Sequence, residues 1–251
     1  LRKTTSPDQL ITSPENEIVR RLRRLAQRRE PGLVLLEGPR VLAEAVAAGL
    51  ELELVAVREG DDFDSRSGKR VVLSPGVFRA VSQTVTPRGV IAIARIVEPD
   101  ARAAIDAARR SHWPLVVLDG VQDPGNVGAI CRTAAAAGAP AVAVLQGSAD
   151  PYGAKAVRAS AGNVFRVKVA RAAWSDLAGL DGYGAAASGG ESLAEAQIEN
   201  AGMIVFGSEA HGLSRSDLKL VTVHLSEGVE SLNVAAAAAL ILFQVRRRLA
   251  S

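Results

Sequence analysis

The chain of 251 residues has a single cysteine, Cys131, so no disulfide can form within it. Its three histidines, His112, His211 and His224, are scattered without metal-ligand spacing, and no metal is expected. The same scarcity argues against a Ser-His-Asp triad. No apolar run approaches the roughly 20 residues that span a bilayer, and nothing at the amino end reads as a signal peptide. A cytoplasmic protein without a membrane partner is therefore the expectation. The sequence also lacks a Walker-type Gly-x-x-x-x-Gly-Lys-Ser/Thr, and Gly120, Gly125 and Gly128 do not fit Gly-x-Gly-x-x-Gly. Nucleoside-triphosphate and Rossmann dinucleotide binding lose their main support.

What is present is ordinary for a globular protein, with 48% apolar and 23% charged residues. The length suits one large or two modest domains. The formal net charge is only +3, but it is unevenly placed, because Arg20, Arg21, Arg23, Arg24, Arg28 and Arg29 crowd one segment. Such a cluster reads equally as a solvated helix face or as a phosphate-binding surface.

Along the chain, residues 1–13 read as a flexible arm, with Ser13 and Pro14 as a helix cap and first turn. Ile18, Leu22 and Leu25 then recur at helical spacing. Strands at 33–36 and 52–57, a helix at 39–48, and short strands at 71–73 and 90–96 make a first α/β domain over residues 14–97. Residues 98–111, with a polar helix, read as a linker. From 112 to 251 strands and helices alternate: strands at 115–118, 141–145, 164–169, 184–187, 203–206 and 221–225, and helices to Gly138, near 154–161 and from about Leu232. That alternation predicts an α/β fold with a mostly parallel sheet covered on both faces.

Three blocks stand out as site loops. The first, Asp123-Pro124-Gly125-Asn126-Val127-Gly128 running on to Arg132-Thr133-Ala134, joins a strand to an alanine-rich helix. Open parallel sheets bind ligands at the carboxyl ends of their strands. The second, Phe206-Gly207-Ser208-Glu209-Ala210-His211-Gly212-Leu213, leaves a buried strand through two glycines with a carboxylate between them. The third, Glu230-Ser231-Leu232-Asn233-Val234, precedes the last helix, where Ser231 and Asn233 alone would be capping groups.

Together the blocks resemble the three signature motifs of the SpoU-type (TrmH-like) branch of the SPOUT methyltransferases, which methylate ribose 2'-hydroxyls in RNA. Lys155-Ala156-Val157-Arg158-Ala159-Ser160-Ala161-Gly162 is similar to that family's intervening helix. Residues 14–97 more weakly resemble the RNA-binding domain of many members, through Glu37-Gly38-Pro39-Arg40 and Thr86-Pro87-Arg88-Gly89-Val90. The resemblance implies a trefoil-knotted methyltransferase domain over 112–251, a homodimer, and S-adenosylmethionine as cofactor. Ala187, Ser188, Gly207, Val223, His224, Leu225 and Leu232 would surround the cofactor, with Gly207 small to leave it room. Asn126, Arg132, Glu209, Ser231 and Asn233 would serve catalysis, and Arg20, Arg21, Arg24, Arg40 and Arg88 would bind RNA. Guanidinium groups keep their proton, so Arg132 is expected to clamp a phosphate and stabilise a developing alkoxide rather than act as a base. An ion pair with Asp119 or Asp123 is its structural alternative.

The extra domain suggests ribosomal RNA, with 23S RNA as the specific expectation, and a role in antibiotic resistance is a separate expectation. A non-catalytic RNA-binding or ribosome-assembly protein, or a tRNA ribose methyltransferase, are the alternatives. Val223-His224-Leu225 departs from the Ile-Pro-Met usual before the third motif.

Overall fold

A computed structural model describes residues 9–61, 63, 68–84 and 89–250. The amino-terminal lobe runs β1 (Gln9–Ile11), α1 (Glu17–Gln27), β2 (Leu33–Glu37), α2 (Pro39–Ala47), β3 (Glu51–Arg58), β4 (Lys69–Leu73), α3 (Pro75–Val81) and β5 (Val90–Arg95). Its five strands lie in the order β1-β4-β3-β5-β2, with β5 antiparallel to both β2 and β3. Side chains alternate across a strand, and β2 illustrates the consequence. Val34 and Leu36 pack with Val41, Leu42 and Ala45 of α2, whereas Leu33 and Leu35 pack with α1 and α3 on the opposite face.

Two expectations change here. The chain at Gln9–Ile11 is not a loose arm but an edge strand parallel to β4, which leaves Ile11 only 3% exposed. Residues 1–8 lie outside the described residues. The first helix is capped by Asn16, whose side chain accepts from the Ile18 amide at 2.9 Å, three positions beyond Ser13. Asparagine at this position satisfies an amide that the helix itself cannot.

The carboxyl-terminal lobe contains α4 (Ala101–Arg110), β6 (Leu115–Asp119), α5 (Pro124–Ala137), β7 (Ala141–Leu145), α6 (Ala154–Ala159), β8 (Lys168–Ala172), β9 (Gly182–Ala186), β10 (Glu191–Ser192), β11 (Met203–Gly207), β12 (Lys219–Thr222) and α7 (Val234–Leu249). Its seven strands are ordered β10-β12-β9-β11-β6-β7-β8, and every pairing is parallel. Val116 and Leu118 of β6 face the core shared with α5 and α7, while Leu115 and Val117 face α4. The result is a three-layer sandwich, which all-parallel sheets require because both faces are apolar.

The expected linker is therefore part of this lobe. Asp100 caps α4, accepting from the Ala103 amide at 2.7 Å, and Ala104, Ala107 and Ala108 bury against the sheet. The strand expected at 164–169 starts later, at Lys168, because a 3-10 turn at Asn163–Phe165 first reverses the chain after α6. Likewise β12 ends at Thr222, where its pairing with β9 stops, and Val223 departs from the sheet.

The two lobes share one continuous apolar core that reaches from α2 to Val164. At Gly162, with φ +84°, an added Cβ would lie 2.7 Å from the Cβ of Glu44, so only glycine allows the lobes this approach. Ion pairs reinforce the seam: Arg29 meets Asp150 and Glu98, each at 2.7 Å, and Arg171 meets Asp150 at 2.8 Å. No helix among the described residues is long and apolar enough to cross a membrane, and no cluster of His, Cys, Asp or Glu among them could hold a metal ion.

Candidate active site

The carboxyl ends of β6 and β11 lie side by side, with Asp119 in register with Gly207. From these two ends the first and second sequence blocks leave the sheet. Asp123 caps α5 by accepting from the Asn126 amide at 3.0 Å, and its other oxygen accepts from Lys155 Nζ at 2.7 Å. The Lys155 hydrogen bond, with the backbone amide of Asn126, holds the Asp123 carboxyl below its usual range. Asn126 is thereby fixed in the first turn of α5.

The Asn126 side chain meets the other two blocks directly. Its Nδ2 donates to Glu209 Oε1 at 2.7 Å, and its Oδ1 accepts from Asn233 Nδ2 at 3.1 Å. Asn233 Nδ2 also donates to Glu209 Oε1 at 3.1 Å, closing a ring of three side chains. Asn233 Oδ1 caps α7 by accepting from the amides of Ala235 and Ala236, so its amide group can be oriented only one way. Residues drawn from three loops thus become one polar cluster at the rim of the sheet.

Beside the cluster is a cavity of about 620 Å³ at the carboxyl ends of β9, β11 and β12. Ala185, Phe206, Val221 and Ile241 give it an apolar floor, and Ser208, Ser214, Ser216 and Ser231 line it with hydroxyls. Such a volume and such a lining suit a nucleoside-sized ligand with a flat base and polar substituents. Of the residues expected around a cofactor, Ala187, Gly207, Val223, Leu225 and Leu232 line the cavity. Ser188 and His224 do not: both are exposed and outside the lining.

Gly207 lines the cavity as expected, and the loop itself adds a reason for glycine there. A Cβ there would lie 2.5 Å from the backbone of Gly212, where the loop folds back and Ser208 and Gly212 exchange backbone hydrogen bonds at 2.9 and 2.8 Å. Glycine is needed by the loop's own return before any ligand is considered.

Among the remaining expected residues, Glu209 and Ser231 line the cavity, and Asn126 and Asn233 border it through Glu209. Arg132 lies two turns along α5, exposed and free of any hydrogen bond or ion pair among the described residues. Its expected alternative partners are engaged elsewhere: Asp119 accepts from the amide and hydroxyl of Ser214, and Asp123 from Lys155. The neighbouring Cys131 is fully buried, and burial pushes its thiol up to about 12, so it has no nucleophilic role.

Of the expected RNA-binding arginines, Arg20, Arg21 and Arg24 are on α1 and Arg40 is on α2. Arg21 pairs with Glu53 and Arg24 with Glu30, whereas the Arg20 side chain has no hydrogen bond or ion pair among the described residues. Helix α2 lies across the sheet from α1. Arg88 lies outside the described residues, as do Thr86 and Pro87. Residues given no site role in the sequence also matter: buried Asp119 grips the second loop through Ser214, and Trp174 Nε1 donates to the same hydroxyl at 3.0 Å. An aspartate ending an otherwise apolar strand was the available signal.

Similarity to known proteins agrees with this geometry. The SpoU rRNA Methylase family matches residues 114–243, and an MRM3-like substrate binding domain matches residues 16–92. The chain is 31% identical over 253 residues to the Bacillus subtilis 23S rRNA (guanosine(2553)-2'-O)-methyltransferase RlmP, covering 94% of this chain and 98% of that one. The structure of the AdoMet-bound rRNA methyltransferase from Sinorhizobium meliloti superimposes with a TM-score of 0.81 at 26% identity, covering 97% of this chain and 99% of that one. An RNA 2'-O ribose methyltransferase structure gives a TM-score of 0.79 at 28% identity, over 97% and 100% of the two chains. With its motifs gathered at one site and both lobes matched, the chain belongs to the SpoU rRNA methylase family.

Proposed function

We propose that this protein transfers a methyl group from S-adenosylmethionine to a ribose 2'-hydroxyl of ribosomal RNA, with 23S RNA as its substrate. The observation that carries the reading is the ring of Asn126, Glu209 and Asn233 at the mouth of the nucleoside-sized cavity. Relatives named for this reaction, and the matched substrate-binding lobe, support it. Ribose methylation is an in-line displacement, and the protein's task is to align the hydroxyl and manage its proton.

When bound, the cofactor supplies an electrophilic methyl on a sulfonium. Ala187, Gly207, Val223, Leu225 and Leu232 would hold it in the cavity, and the proton of the 2'-hydroxyl would pass to a phosphate oxygen or water. Asn126, held between Glu209 and Asn233, has one amide proton left to orient the ribose oxygen. The unpaired Arg132 clamps the adjacent phosphate and stabilises charge developing on the oxygen. Ser231 adds a hydroxyl to the sugar side of the cavity.

The same reading takes the carboxyl-terminal path as the family's trefoil knot, supported by α7 returning from the β12 side of the sheet to pack on α5. It also takes the working unit as a homodimer, supported by Leu240 and Phe243, which leave α7 outward at 49% and 46% exposure. Light scattering on the purified chain tests the latter. Protection from a ribosome-binding drug would be one consequence of the methyl group, read as a changed inhibitory concentration when the chain is removed from cells.

Radiolabelled methyl transfer to 23S RNA lacking the modification, followed by mapping of reverse-transcription stops at low nucleotide concentration, tests the function. A single stop that depends on both the chain and the cofactor is expected. No incorporation into free RNA, precursor particles or assembled subunits would leave only a binding protein.

A further inference from the structure

We infer that Arg215 is the anchor for the carboxylate of the cofactor's methionine tail. The inference rests on the cofactor reading above and assigns a partner to the one ligand charge that the motifs leave unmatched. S-adenosylmethionine carries a cationic sulfonium, an ammonium and a carboxylate. The cavity is lined by only two charged side chains among the described residues, Glu209 and Arg215. Glu209 suits the cationic groups, and Arg215, which also borders a second, polar cleft beside Asp217, is the one cationic residue of that lining among the described residues.

The guanidinium is also held ready. Its face stacks on the Trp174 ring, with Cζ 5.0 Å from the centroid. Its Nε donates to Asp217 Oδ1 at 2.7 Å, and Nη2 donates to the other Asp217 oxygen, so one edge of the fork is fixed. The Nη1 and remaining Nη2 protons form a second edge with the spacing of a carboxylate, and no hydrogen bond from Nη1 occurs among the described residues. The preceding residue is pinned as well: Ser214 donates from its amide and hydroxyl to buried Asp119 at 2.6 and 2.9 Å, and accepts from Trp174. Asp119 and Trp174 are thus positioning residues for Arg215, and a long flexible side chain loses little further freedom on binding.

Calorimetric titration of the full chain with three ligands tests this. S-adenosylmethionine has the carboxylate, decarboxylated S-adenosylmethionine lacks only that group, and 5'-methylthioadenosine lacks the whole tail. For Arg215→Ala, affinity for S-adenosylmethionine should fall about tenfold or more, as for a lost charge-assisted pair, with the other two ligands within about twofold. Arg215→Lys, which keeps the charge and most of the stem, should recover part of the loss. An equal fall for all three ligands would mean that Arg215 merely supports the loop, and would overturn the assignment. So would wild-type protein binding the decarboxylated ligand as tightly as the intact one. If the wild type binds none of the three, the cofactor reading fails first and the assignment goes with it.

Discussion

Asn233 Nδ2 donates to Asn126 Oδ1 at 3.1 Å although the two residues are 107 positions apart in the chain. The bond ties the first turn of α5 to the first turn of α7 and makes one residue both a helix cap and a member of the candidate active site.

These two duties of Asn233 can be separated. Asn233→Ala removes the cap and should lower stability by about 1 kcal/mol while abolishing transfer. Asn233→Asp keeps the cap but replaces two donors with a carboxylate beside Glu209. It should melt near the wild type yet lose activity by about tenfold to a hundredfold, the weight of hydrogen bonds to a charged partner. Thermal melting with methyl-transfer rates reads both, and an active Asp variant would remove the ring from the mechanism.

If Arg132 clamps the RNA phosphate as proposed, Arg132→Ala should abolish transfer while cofactor affinity stays within about tenfold. Turnover at wild-type rate in a radiolabel assay would exclude the phosphate-clamp role.

For Cys131 the sign of the pH effect follows from burial. The folded thiol is pushed up to about 12 from an ordinary value of 9.0, so the folded chain holds a proton that the unfolded chain releases. The stability associated with this group is fully present below pH 9 and is lost as pH rises from there towards 12. Alkylation of the native protein at pH 8 should be slow and become complete in denaturant; rapid native labelling would contradict the burial.

Breaking the seam between lobes should be costly. Arg29 is 11% exposed at its side chain and joins Asp150 to Glu98, whose own side chains are 31% and 25% exposed. Arg29→Met should cost about 2 kcal/mol, less than a fully buried pair because both carboxylates keep some water and the help of Arg171. Urea unfolding measures the loss, and a change below about 0.5 kcal/mol would reduce the seam to surface pairs.

Much of the fold was legible because local pattern encodes local structure. The strand at Ala141–Leu145 and the helix ending at Gly138 were readable to the residue, since an apolar run and a left-handed glycine are local signals. Misreadings fell where a distant partner decides. The helix at 101–110 looks polar alone, and only the sheet beneath it turns Ala104, Ala107 and Ala108 into core. Gln9–Ile11 is a strand because β4 is there to pair with it, and β4 is some sixty residues away. The site was legible as three motifs whose residue types imply their chemistry, whereas Asp119, Trp174 and Arg215 carry no motif and gain meaning from the loop they hold.

The sequence by itself determined the alternation of strands and helices, the apolar face of each, and the residues able to do polar chemistry at loop ends. Only the tertiary structure decided that Asn126, Glu209 and Asn233 touch, that Gly207 is required by the turn at Gly212, and that the arginines of α1 and Arg40 lie on opposite faces. Periodicity fixes which side of an element is buried through interactions a few residues apart. Strand order and loop convergence are fixed by packing the whole chain at once, and no local window contains that information.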